Sequence, residues 1–236
     1  MSCIRHVYQM FIRSKQEKLI LKKCSKQGKM NKIITQNDEQ IQEIPDLEIT
    51  LNQTTQVSTF DGCLSKKKML ALDLDETLVC SKLQKPANYD FEIAQDDPSQ
   101  NSKVILYVAT RPFLEQFLDE MSKYYDLFVF TAGLNEYCNA IVDKIDPKGL
   151  IIGRLSREHC RMVNEYKYLK DLKLIDGYEM KDKLLLDNSP YSIELQPENG
   201  ILCPDFYGSK HDNYLLTVID KLIFLSDVPD VTLVQK

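Results

Sequence analysis

From residue 66 onward, short apolar runs alternate with longer stretches in which apolar positions recur every three or four residues. The runs Met69–Leu72, Val104–Val108, Leu127–Phe130, Leu150–Leu155 and Leu184–Leu186 predict buried strands. Between them, Phe113, Leu114, Phe117, Leu118 and Met121 form the inward stripe of a helix opening at Thr110-Arg111-Pro112, with Thr110 as its cap. Further helices are predicted from about Leu134 to Asp146 and over Tyr214–Ser226. Residues Ser81–Ser102, with Pro86, Asn88 and the turn Asp96-Asp97-Pro98-Ser99, read as an irregular insert. Strands alternating with helices predict an α/β fold, a mostly parallel sheet with helices on both faces.

The region before residue 66 has another pattern. Residues 1–27 carry Val7, Met10, Phe11, Leu19, Ile20 and Leu21 between cationic positions, an imperfect amphipathic helix. From Gly28 to about Ser65 the chain turns to Gln, Asn, Thr and acids, which reads as a linker. The expected organisation is therefore a basic, partly disordered arm and linker over 1–65 and a folded domain over 66–236.

Charge sharpens that division. The 236 residues carry a net −5, yet residues 1–35 hold nine Lys/Arg and one acid, a net +8. The remainder has 21 Lys/Arg against 34 Asp/Glu, a net −13. Such an arm is free to meet nucleic acid, acidic lipid or an acidic partner, or only keeps the chain in solution. Its poverty in acids fits a transit peptide, although its Arg and Ser content is low for one. Seven scattered cysteines without a Cys-x-x-Cys pair point to a reducing compartment and away from zinc. No window has the apolar length of a membrane span and no secretory signal opens the chain, so a soluble globular class is expected.

Ligands of parallel sheets bind beyond the carboxyl ends of the strands, so the residues just past each apolar run are the candidates for chemistry. Met69–Leu72 delivers Asp73 and Asp75, Leu127–Phe130 delivers Thr131-Ala132-Gly133, and Leu184–Leu186 delivers Asp187-Asn188-Ser189-Pro190. Phosphoryl transfer needs a cation and fixed donors for the equatorial oxygens, and in-line attack. Asp73, the backbone carbonyl of Asp75, and Asn188 or Asp187 supply hard oxygen ligands for Mg²⁺. Thr131 offers a hydroxyl and a backbone N–H, and Lys170, in Tyr168-Leu169-Lys170-Asp171-Leu172, offers positive charge. Each part also has a plainer reading: Asp-x-Asp as a strand end with an Asx turn, Thr131 as a helix cap, Lys170 as a solvated lysine, Asp187–Pro190 as a turn.

In order and spacing these residues resemble the haloacid dehalogenase superfamily, and within it the small type of carboxy-terminal-domain phosphatase with an FCP1 homology domain. Asp73-Leu74-Asp75-Glu76-Thr77-Leu78-Val79, Phe130-Thr131-Ala132, Lys170 and Leu186-Asp187-Asn188-Ser189-Pro190 are similar to its four motifs. Arg111-Pro112 and Arg157-Glu158-x-Cys160 look familial too. The resemblance covers roughly residues 66–230. It implies a Rossmann-like domain with a small β insert after the first motif, in which Asp73 attacks phosphorus and Asp75 serves as general acid and base. Thr131 and Lys170 would bind phosphate, and Asp73, Asp75, Asn188 and Asp187 would surround Mg²⁺.

The implied activity is that of a Mg²⁺-dependent phosphoserine/phosphothreonine protein phosphatase in nucleus or cytoplasm. Its substrate would be the RNA polymerase II C-terminal domain or another phosphoprotein. An acidic partner is expected for the arm, and direct nucleic-acid binding is not. Departures from the pattern are specific. Residues 160–167 lack the His-Arg pair of polymerase-specific members, and Leu83 replaces an aromatic residue, leaving the insert wall to Leu83, Phe91 and Ile93. No BRCT-like region or membrane anchor is evident, which is expected to set the chain apart from larger and membrane-bound relatives. Two alternatives stand beside this reading: a small-metabolite phosphatase, and a non-catalytic peptide-binding module of the mitochondrial-import type. A Ser or Cys triad is disfavoured because His6, His159 and His211 have no triad setting. Cys80 is expected to be a buried, inert thiol.

Overall fold

The all-apolar run at Met69–Leu72 becomes β1 (Lys68–Leu72), the middle strand of a five-stranded sheet. The computed structural model describes residues 67–97, 102–164 and 167–234; the expected N-terminal helix and linker lie outside the described residues. From one edge the sheet runs β10 (Gly200–Leu202), β9 (Lys183–Asp187), β1, β5 (Tyr125–Phe130) and β6 (Ile151–Leu155). Every pairing in it is parallel. Strands buried on both faces must be apolar at nearly every position, which is why the central three read as continuous runs and not as alternations.

The period of two divides those runs between two cores. Leu70, Leu72, Leu127, Val129, Leu184 and Leu186 join the larger, with the inward faces of α1 (Leu114–Tyr124), α2 (Asn135–Ile145) and α3 (Tyr214–Asp227). Met69, Ala71, Phe128, Phe130 and Leu185 face the other way, against Leu172 and Ile175 beside the 3₁₀ turn Leu172–Leu174. Among the described residues the three long helices thus lie on one face, while single turns and loops close the second, where the sequence predicts helices on both faces.

Two local expectations are corrected at the start of α1. Thr110 is not its cap: it ends β4 (Ser102–Thr110), and its N–H and hydroxyl both donate to Asp90 Oδ2 at 2.8 Å. The helix instead begins after Phe113, a residue 45% exposed whose backbone is left-handed (φ 68°). Phe113 therefore leaves the inward stripe, which is Leu114, Phe117, Leu118 and Met121.

The insert is also more regular than its composition suggests. Here β2 (Val79–Lys82), β3 (Phe91–Asp97) and β4 form an antiparallel sheet in the order β2-β4-β3. The run Val104–Val108 therefore belongs to this sheet and not to the parallel one. The polar stretch Phe91–Asp97 is a strand because β4 pairs with all of it, from Phe91↔Val108 to Asp97↔Ser102. Ile93 is buried, so it cannot line an exposed wall, whereas Leu83 and Phe91 pack partly buried against the core. A second antiparallel ribbon, β7 (Arg161–Asn164) with β8 (Lys167–Leu169), precedes Lys170.

Candidate active site

Three neighbouring strands, β9, β1 and β5, end at the same edge of the sheet and release Asp187-Asn188, Asp73 and Thr131 respectively. Asp73 extends the ladder by one bond, its N–H donating to Leu186 O at 3.0 Å. The chain then turns sharply: Leu78 and Val79 both donate to Leu74 O at 2.9 Å, and Glu76 takes a left-handed φ of 63°. That conformation is uncommon outside glycine, and it lets Asp73 and Asp75 leave one short loop together.

Lys170 binds the first and fourth motifs to each other. Its Nζ donates to Asp73 Oδ1 at 2.6 Å and to Asp187 Oδ2 at 2.5 Å, and all three side chains are buried. Its backbone is fixed as well, the carbonyl accepting from Gln196 Nε2 at 2.6 Å. The other oxygen of Asp187 accepts from Ser189 N–H at 2.8 Å. Burial of two carboxylates around one ammonium sets the electrostatics. Burial raises Asp73, opposed by Lys170 and reinforced by Asp187. For Lys170, burial alone would lower the pKa, but Asp187 and Asp73 outweigh it and hold the ammonium charged.

Asp75 has a separate environment. Burial pushes its carboxyl up to about 6, against the pull of a hydrogen bond from Tyr137 OH to Oδ1. Tyr137 stands in the first turn of α2 and its hydroxyl also meets Ser81 Oγ of β2 at 2.7 Å. Neither Tyr137 nor Ser81 carries a sequence signal, because a tyrosine on an apolar helix face and a serine in a strand read as packing.

Thr131 is not a cap, since α2 begins after Leu134. Its backbone N–H is spent on Leu155 O at 2.9 Å, so that N–H is not the phosphate donor expected. Its hydroxyl accepts from Gly133 N–H at 2.9 Å and keeps its own hydrogen to give. Arg157 laces this loop in place: its backbone N–H donates to Gly133 O at 2.7 Å and its Nε to Ala132 O at 2.8 Å. Cys160 donates to Thr131 O at 3.6 Å, and burial pushes its thiol up to about 12, the chemistry of a packing group. Cys160 is half-buried and Cys80 buried.

Asn188 is tied to the first motif through Thr77, whose hydroxyl donates to Asn188 Oδ1 at 3.3 Å and accepts from its N–H at 3.2 Å. Its Nδ2 donates to Asp205 Oδ1 at 2.9 Å and Glu76 Oε2 at 3.4 Å. Asp205, beyond β10, has no motif to mark it in the sequence. Among the described residues no three His, Cys, Asp or Glu side chains cluster as a metal site. The groups at this edge are nevertheless all oxygen donors, carboxylates and an amide, and more negative charge is buried here than Lys170 offsets. That set fits a hard divalent cation that keeps several waters.

Comparison with known proteins shows what the chain is similar to. Residues 68–232 match the sequence model of the NLI interacting factor-like phosphatases. The chain is 37% identical over 167 residues to a probable C-terminal domain small phosphatase of Dictyostelium discoideum, covering 71% of this chain and 53% of that one. It is 34% identical over 162 residues to the carboxy-terminal domain RNA polymerase II polypeptide A small phosphatase 2 of Homo sapiens, covering 69% and 58%. The chain thus spans a little over half the length of these two relatives. Among solved structures, a beryllium fluoride complex of a variant of the fission yeast RNA polymerase II CTD phosphatase Fcp1 shares the fold. Its TM-score is 0.50 at 17% identity, over 72% of this chain and 53% of that one.

Proposed function

Because the chain belongs to the family of NLI interacting factor-like phosphatases, we propose that it is a Mg²⁺-dependent protein phosphatase, hydrolysing phosphoserine or phosphothreonine through an aspartyl-phosphate on Asp73. The observation that carries this reading is the buried bridge of Lys170 between Asp73 and Asp187, with a second, separately held carboxyl two residues from the nucleophile.

An Asp73 oxygen attacks phosphorus while the bond to the departing oxygen breaks, and Asp75 passes its proton to that oxygen. Asp75, now a carboxylate, takes a proton from water as the water oxygen attacks phosphorus, and Asp73 is released with inorganic phosphate. Two of the three N–H bonds of Lys170 are held by carboxylates, which leaves the third for a phosphoryl oxygen. The Thr131 hydroxyl donates to another. Asp73, the Asp75 carbonyl, Asn188 and Asp187 are the groups that would hold Mg²⁺. When bound there, the ion neutralises phosphoryl charge and holds the oxygens in line.

The relatives' names suggest a phosphorylated polymerase tail or a comparable phosphopeptide as substrate, in nucleus or cytoplasm. No helix of the described residues is long and apolar enough to cross a membrane. The test is hydrolysis of an aryl phosphate with and without Mg²⁺, in wild type and Asp73→Asn. Turnover that requires the metal and is lost in the variant supports the mechanism; turnover persisting in Asp73→Asn, or absent from both proteins, counts against it.

A further inference from the structure

The hydroxyl chain behind Asp75 is not needed for packing. Tyr137 and Ser81 are 7% and 2% exposed, and burying two hydroxyls costs free energy unless each is hydrogen-bonded. Phenylalanine and alanine would fill the same space without that cost, so the reason for the pair must lie at its end, which is Asp75. A tyrosine has one hydrogen to give. Tyr137 gives it to Asp75 Oδ1, so Ser81 must give its own to the tyrosine oxygen across 2.7 Å.

Resting on the phosphatase reading above, we propose that Tyr137, braced by Ser81, is a positioning residue for Asp75. It occupies Oδ1 and leaves Oδ2 as the oxygen that hands a proton to the departing group. Free rotation of the carboxyl would present either oxygen in many orientations, and proton transfer requires the carrier within hydrogen-bond reach of the departing oxygen. The brace joins α2, which carries Tyr137, to β2, which carries Ser81, so it couples the insert to the catalytic acid through the tyrosine. The proton balance is unchanged: Asp75 gives one proton as the bond to the leaving oxygen breaks and recovers one from the attacking water, while the Tyr137 and Ser81 hydrogens stay in place.

Leaving-group chemistry separates this role from a merely structural one. A weakly basic leaving group departs without a proton, whereas an alkoxide does not, so poor positioning of Asp75 slows only the second. The experiment measures kcat/KM, which reports transfer to Asp73, for the full chain and for Tyr137→Phe, Ser81→Ala and Asp75→Asn. The substrates are 2,4-dinitrophenyl phosphate, phenyl phosphate and a phosphoserine peptide. For Tyr137→Phe the expected change is within about twofold on dinitrophenyl phosphate and a loss of about tenfold or more on the phosphopeptide. Ser81→Ala should show the same trend with a loss of about threefold on the phosphopeptide.

A folded Tyr137→Phe whose losses are equal on all three substrates, or absent from all, overturns the proposal. If Tyr137→Phe does not fold, as judged by its thermal transition, Ser81→Ala decides alone: a loss growing with leaving-group basicity supports the brace, and a flat response overturns it. The Asp75→Asn reference distinguishes the two levels of failure. If wild type hydrolyses none of the substrates, the phosphatase reading fails; if wild type is active but Asp75→Asn shows no leaving-group dependence, only the acid role of Asp75 fails; in either case the positioning role falls with it. If Asp75→Asn behaves as an acid-deficient variant and Tyr137→Phe does not, only the positioning role is lost.

Discussion

At the scale of single residues, the site is governed by one lysine. Lys170 is buried between two carboxylates, and breaking such an arrangement by removing one partner costs about 3–5 kcal/mol. Lys170→Met is therefore expected to lose activity and to unfold at lower urea concentration at pH 7. The pH effect has a definite sign. Burial already raises Asp73 and Lys170 opposes that rise, so without the ammonium the folded pKa of Asp73 moves further above the unfolded value near 4. Stability is then present at low pH and lost as pH rises, and the deficit of Lys170→Met should shrink from pH 7 to pH 5. A constant deficit would show that the three groups are not electrostatically linked. Asp73, Asp187 and Lys170 are legible in the sequence as members of one site because each comes after a strand or stands in a recognisable motif. Tyr137 and Ser81 are not, since their partners, Asp75 and Tyr137, lie 62 and 56 positions away and nothing local marks a hydroxyl as a brace.

At the scale of elements, the molecule is joined at Arg111, between β4 and α1. Its buried guanidinium makes paired bonds to Asp212 at 2.8 and 2.9 Å, donates to Thr77 O at 3.1 Å, and stacks over Tyr214 and Phe206. Asp212 also receives Tyr214 N–H at 3.0 Å, so one ion pair fixes the start of α3 and the first-motif loop together. Burial alone would raise the Asp212 carboxyl, but the Arg111 hydrogen bonds and the Tyr214 N–H bring it below its ordinary value. A depressed folded pKa contributes stability that is complete above the unfolded value of about 3.9 and is lost as pH falls through the folded one. The stability gap between wild type and Asp212→Asn should accordingly be constant from about pH 5 to 7 and narrow below about pH 4. An unchanged gap at pH 3 would contradict the pairing. The strands and long helices are readable in the sequence because continuous apolar runs and three-four spacing arise from burial itself. β3 is not, because its ladder to β4 and not its own polar residues makes it a strand; the start of α1 is displaced from its expected place because Thr110 is engaged by Asp90, 20 positions earlier.

At the scale of the whole molecule, charge is the organising feature. The +8 of residues 1–35 and the −13 of the remainder would steer an acidic phosphoprotein towards the arm over a range of roughly 8 Å at physiological salt. Deleting residues 1–60 should leave aryl phosphate hydrolysis unchanged and lower kcat/KM on an acidic phosphoprotein, with a loss that fades as salt rises. An undiminished rate on the protein substrate would exclude recruitment by the arm.

The claim on which the rest depends is that Asp73 becomes phosphorylated. The direct measurement is the intact mass of the protein, quenched in acid during turnover of an aryl phosphate with Mg²⁺. One added phosphoryl group, mapped to Asp73 and missing from Asp73→Asn, is the expected result. Turnover by wild type without a phosphorylated protein, or a phosphoryl group carried elsewhere in Asp73→Asn, would contradict it.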